Sequence, residues 1–172
     1  MRQHRLPQET AALAAARGKT LLFVGLSILL AVVMQVLSVE FIAMHCIVLA
    51  AITLAAAVTC AWAVIPILPQ AARRAGMQGG MTSALAYVLP FLVVTAYRFA
   101  TLDSASAGRM AAEMSAAQAT NLTQQGIPPG VEYFRGQFIS YMAGYLLFGL
   151  LFGMALGALG GIIAQRTAKR SE

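Results

Sequence analysis

The chain has 172 residues, of which 59% are hydrophobic and 10% charged, with a formal net charge of +6, and its mean hydropathy is +0.74. So few charges exclude an ordinary water-soluble domain, in which about 25% of residues are charged. The excess of Lys and Arg does not point to nucleic acid, because the cations flank apolar runs, where they set membrane topology.

Residues 1–19 carry Arg2, Arg5, Arg17 and Lys19 and form an expected cytoplasmic tail. Pro7 suits the first turn of a short helix, with Glu9 well placed near its N-terminus. An interfacial helix and a frayed tail fit this segment about equally. From Thr20 to Leu68 the chain is apolar, too long for one span of about 20 residues. Gln35, Ser38, Glu40 and His45 interrupt it, so two spans, 20–37 and 42–67, are expected around a tight turn near Ser38–Phe41. The first run exceeds the length of a secretory signal core, and no small-residue cleavage site follows, so it reads as a retained helix. Pro66 and Pro69 fit the end of the second helix rather than its interior.

The stretch from Gln70 to Gly80 reads as a basic loop, with Arg73, Arg74 and the Gly79–Gly80 pair as a break signal. A third span is expected over 81–99, and Pro90 should kink it. Residues 100–136 form an external loop with one amphipathic helix from Ser104 to Leu122. It would be capped by Asp103 or Ser104, present Met110, Met114 and Ala117 on one face, and end near Gly126. Tyr133 and Phe134 begin an aromatic belt, 137–164 is the fourth span, and 165–172 is a second cytoplasmic tail. The fold class expected is therefore an all-α integral membrane protein of four transmembrane helices with an external amphipathic helix between helices 3 and 4. Both basic tails and the Arg73–Arg74 loop fall on one side of this arrangement. That places both termini in the cytoplasm of a cell membrane of the bacterial inner-membrane kind.

The fourth helix carries Gly149, Gly153, Gly157, Gly160, Gly161 and Ala164, a small-residue face of the sort that lets helix backbones approach closely. Tyr141, Tyr145, Phe148 and Phe152 form an aromatic ridge beside it. Such a face serves packing within the four-helix domain or contact with another chain, and spacing alone does not choose between them. Glu40 and His45 are the candidate polar site, since ionisable groups near a membrane segment invite a functional reading. Both sit close to the expected external turn, and an interfacial position there accounts for them without any function. A single imidazole can ligate one haem or chlorin, so a single-ligand pigment at His45 stays open. A bis-histidine haem does not, because the other histidine, His4, lies in the opposite tail. Cys46 and Cys60 are separated by about 21 Å of helix and cannot bridge each other.

No metal-ligand spacing, nucleophile elbow, phosphate loop or carboxylate dyad is present, so no cofactor and no enzymatic activity are expected. The expected function is a non-enzymatic membrane subunit or scaffold that meets the bilayer and packs with itself or another membrane protein through the glycine-rich helix. An oligomeric channel or carrier for ions or small solutes is the alternative.

Overall fold

The computed structural model describes residues 5–37 and 42–168. The expected turn near Ser38–Phe41, and Glu40 with it, lies outside the described residues. Among the described residues six α-helices follow one another: α1 Arg5–Val36, α2 Ile42–Val64, α3 Ala72–Ala100, α4 Ser104–Ala112, α5 Ala116–Gln124 and α6 Val131–Ala168. One 3-10 turn, Pro69–Ala71, precedes α3, and there is no strand among the described residues. Four segments of the described residues are long and apolar enough to cross a membrane: Thr10–Val36, Met44–Val64, Pro69–Ala100 and Val131–Ala168. With 38 residues, α6 is about 57 Å long and outruns a hydrocarbon core of about 30 Å.

Several boundaries differ from the sequence expectation. The basic stretch before residue 81 is not a loop: α3 begins at Ala72, so Arg73, Arg74, Gly79 and Gly80 are all helical. A glycine pair signals a break only where nothing holds the backbone. Here Gly76, Gly79 and Gly80 are buried against other helices, and that packing outweighs their weak propensity of about 1 kcal/mol each. At the start, α1 runs without interruption from Arg5 into its apolar part. The second helix ends at Val64, a little earlier than expected, because Pro66 lacks the N–H to continue it. The fourth long helix starts at Val131, so Tyr133 and Phe134 lie inside its first turn.

The segment expected to be one helix from Ser104 to Leu122 is two. Each has its own capping box: Asp103 with Ser106 for α4, and Ser115 with Gln118 for α5. A reciprocal cap satisfies two free backbone donors at once, which makes Ser115 a better start than a continuation. The break turns the second half onto another face, so Met110 and Met114 are packed while Ala117 is exposed. The α5 helix closes on Gly126 at φ 68°. The Ile127 N–H bonds the Leu122 carbonyl at 3.0 Å and the Gly126 N–H bonds the Thr123 carbonyl at 3.1 Å, which is the Schellman ending.

By internal contacts the chain divides into two units, one comprising the residues up to Pro90 and from Leu146 onward, the other Phe91–Tyr145. In the first, α1 packs along α2, and Ala12, Val64 and Ala75 are buried together, as are Ala61, Ala72 and Ala164. In the second, Leu102, Ala107, Phe134 and Phe138 form an apolar core with Phe99 and Met110 packed against it. The change of unit falls at Pro90, inside α3. There the missing N–H leaves the carbonyl one turn earlier without its helical partner.

Candidate functional site

The glycines of α6 meet a second set of small residues on α3, running antiparallel. A Cβ built on Gly76 would lie 2.8 Å from the Gly161 Cα, and one on Gly80 would lie 2.7 Å from the Gly157 Cα. One turn further, a Cβ on Gly153 would lie 2.8 Å from the Met81 Cα and 3.1 Å from the Ala84 Cβ. Beyond that, Gly149 faces the Val88 side chain at 3.0 Å. Each step of four along α6 matches a step of four back along α3, so the same faces stay in register over more than three turns.

The small-residue face also serves a third helix. Gly160 would place a Cβ 2.5 Å from the Ala57 Cβ, and Gly79 would place one 2.6 Å from the Cys60 Sγ. Ala164 is buried with Ala61 and Ala72. Gly153, Gly157 and Gly161 thus fit α3, while Gly160 and Ala164 reach α2. The packing face expected on α6 is occupied within this chain. Its main partner, the Gly76–Gly80–Ala84 stripe, was missed in the sequence because Gly79–Gly80 was read as a break. The four-residue spacing from Gly76 to Gly80 to Ala84 was the signal that could have found it.

The aromatic ridge lies on the outer side of α6: Tyr141, Tyr145 and Phe148 are exposed. Phe148 and Phe152 stack with centroids 4.3 Å apart, the Tyr141 hydroxyl donates to Gln137 Oε1 at 2.8 Å, and Tyr145 meets Phe91. His45 Nδ1 is hydrogen-bonded to the Tyr87 hydroxyl at 3.0 Å, joining α2 to α3. One nitrogen of the candidate pigment ligand is therefore engaged by a protein group. No group of three or more His, Cys, Asp or Glu able to hold a metal occurs among the described residues.

Other polar contacts join the helices of the first unit. Ser27 and Ser83 share a buried hydrogen bond of 2.7 Å between α1 and α3. Thr20 Oγ1 and Cys60 Sγ are 3.4 Å apart between α1 and α2. Trp62 Nε1 donates to Thr167 Oγ1 at 3.2 Å between α2 and α6, and Gln165 Nε2 donates to the Pro69 carbonyl at 3.2 Å.

Comparison with protein-family models, curated proteins and solved structures gives no match to this chain. The residues themselves must carry the functional argument.

The electrostatics of the first unit are one-sided. Arg73 and Arg74 on α3, Arg17 on α1 and Arg166 on α6 are exposed. They belong to the end where Ala12, Val64 and Ala75 cluster and where Gly161 meets Arg73. A cleft of about 160 Å³ opens there, lined by Ala16, Val64, Leu68, Arg74 and Gln78 among others. In the second unit Asp103 has its carboxyl held below the usual range. The Ser106 hydroxyl is the main cause and the Ser106 backbone N–H the next.

Proposed function

We propose that this protein is a non-enzymatic integral membrane protein, a small subunit or scaffold of a cell membrane, with both termini on the cytoplasmic side and α4–α5 outside. The observation that carries this reading is the sorting of side chains by size. Leu21, Leu29, Ile47 and Leu147 are each about 60% exposed, whereas Ala56, Ala57, Ala61 and Ala84 are fully buried. A bilayer rewards that order: lipid accepts large apolar side chains, and small ones let helices close on each other. Arg17, Arg73, Arg74 and Arg166 near one end support the cytoplasmic assignment of that end.

Because the glycine face of α6 is occupied within the chain, assembly would use the outward aromatic side chains Tyr141, Tyr145 and Phe148. Native mass spectrometry from lipid nanodiscs tests this. A defined assembly, with itself or with a second membrane protein, that dissociates in a Tyr145→Ala/Phe148→Ala variant of normal helicity supports the reading. A monomer without a partner in native lipid defeats it.

An oligomeric channel or carrier is the second reading. It is favoured by one observation, the polar groups His45, Tyr87, Ser27 and Ser83 joining helices inside an apolar bundle. Solute or ion flux into proteoliposomes, compared with Tyr87→Phe and Glu40→Gln, separates it from the first.

A further inference from the structure

Three hydroxyl side chains of the first unit are each fully buried at 0% exposure: Ser27 on α1, Thr53 on α2 and Ser83 on α3. Helix register brings them to one level. Thr20 lies against Cys60 at 3.4 Å, and α1 and α2 run antiparallel. Seven residues forward from Thr20 is Ser27, and seven back from Cys60 is Thr53. Seven residues are two turns, about 10.5 Å along the axis, and return to nearly the same face. The third helix agrees independently. Gly79 on α3 faces both Cys60 and the Ala56 carbonyl, so Ser83, one turn further along, falls between Ala56 and Ile52 on α2, near the level of Thr53. The hydrogen bond between Ser27 and Ser83, at 2.7 Å, closes the triangle on one side.

Thr53 is the anomaly. Three other threonines of the long helices donate their hydroxyls to their own helix four residues back: Thr20 to Ala16, Thr59 to Ala55 and Thr82 to Gln78. Thr53 Oγ1 makes no such bond and has no hydrogen-bond partner among the described protein groups. A buried hydroxyl in that condition costs the full desolvation of a polar group. The Ser27–Ser83 pair, for its part, uses one of its two O–H donors on itself and leaves the other, with several lone pairs, to spare. Three hydroxyls at one level, with one donor bond made among them, match the needs of a buried water, which takes about three hydrogen bonds.

We propose that Ser27, Thr53 and Ser83 form a binding site for an internal water molecule that links α1, α2 and α3 at mid-length. Water supplies Thr53 with its partner and makes the three hydroxyls one hydrogen-bonded unit. The site is distinct from the glycine seam, and it rests on helix register and burial, not on the functional reading above.

A double-mutant cycle tests it, because Thr53 makes no direct hydrogen bond to either serine. In the full chain in detergent, Thr53→Val removes the hydroxyl at constant shape. With the water bound, it should lower the folded-to-unfolded ratio about fivefold, and Thr53→Ser should retain most of the wild-type value. In a Ser27→Ala/Ser83→Ala background the same Thr53→Val change should be neutral or favourable. Thr53→Val that stabilises the wild type, by the same factor in both backgrounds, overturns the proposal, since that is the signature of an orphan hydroxyl. An experimental structure at a resolution that shows ordered solvent provides the second arm. A water within hydrogen-bond distance of all three hydroxyls supports the site, and a Thr53 hydroxyl bonded to its own helix carbonyl overturns it.

Discussion

Replacing Gly157 by alanine tests the seam that holds α3 to α6. The added Cβ would sit 2.9 Å from both the Cα and the carbonyl oxygen of Met77, and 3.3 Å from the Gly76 carbonyl oxygen, against the 3.4–4 Å of ordinary contact. All three are backbone atoms, which cannot rotate away as a side chain could, so α3 as a whole must recede. Receding also loosens the neighbouring contacts of Gly76, Gly80 and Gly153, which face the same seam. Overpacking of this kind costs about 1–3 kcal/mol, and alanine returns at most about 1 kcal/mol of helix propensity. The expected net loss is about 1–2 kcal/mol, or about 5–30-fold in the folded-to-unfolded ratio. Gly136 and Gly144, on the same helix, meet nothing within 4 Å, so alanine at either should be neutral or mildly stabilising. Equilibrium unfolding in mixed micelles, followed by fluorescence of the chain's one tryptophan, reads the difference. Trp62 is well placed as a probe because its ring nitrogen is bonded to Thr167 across α2 and α6. A Gly157→Ala protein as stable as wild type, or as stable as Gly144→Ala, would refute the close-packed seam.

Tyr87→Phe deletes only the hydroxyl that meets His45, and should cost about 1 kcal/mol in the same unfolding assay. Thr167→Val removes the acceptor of the Trp62 ring N–H and should shift the Trp62 emission in the native state while leaving far-UV circular dichroism unchanged. Gly126→Ala places a Cβ at positive φ and should destabilise the end of α5 by about 1–2 kcal/mol, seen as faster amide exchange at Ile127. The Asp103 carboxyl has a lowered folded-state pKa, so its contribution to α4 is complete above the ordinary carboxylate range. That contribution is lost as pH falls through the folded-state value. The Ser106 amide proton, bonded to Asp103 Oδ1 at 2.7 Å, should shift upfield in NMR over that window, and an Asp103→Asn protein should show no such transition.

The long helices were legible because length and hydropathy are properties of a segment by itself. The candidate packing residues of α6 were legible for the same reason, since glycine every fourth position marks one face of one helix. Boundaries were harder where two local signals competed. Gly79–Gly80 reads as a break until the facing Gly157 and Cys60 are present, and the Ser115–Gln118 capping box was overlooked inside an alanine-rich run that looked continuous. The partner of the glycine face was not legible, because a face records that something comes close but not which helix does so.

The sequence alone determined an all-helical chain with four segments long and apolar enough to cross a membrane, cations flanking several of them, and a small-residue face on the last. These follow from periodicity and composition, which act within a segment. Only the tertiary structure decided that this face closes on α3 and α2 of the same chain, that His45 meets Tyr87, and that Ser27 pairs with Ser83. Those are contacts between residues 42 to 103 positions apart. Antiparallel helix register, not local preference, chooses such pairs. A slide of one helix by a single residue turns each side chain about 100° away from its partner, and the backbone-to-backbone fit of Gly80 with Gly157 selects the one register in which the bundle closes.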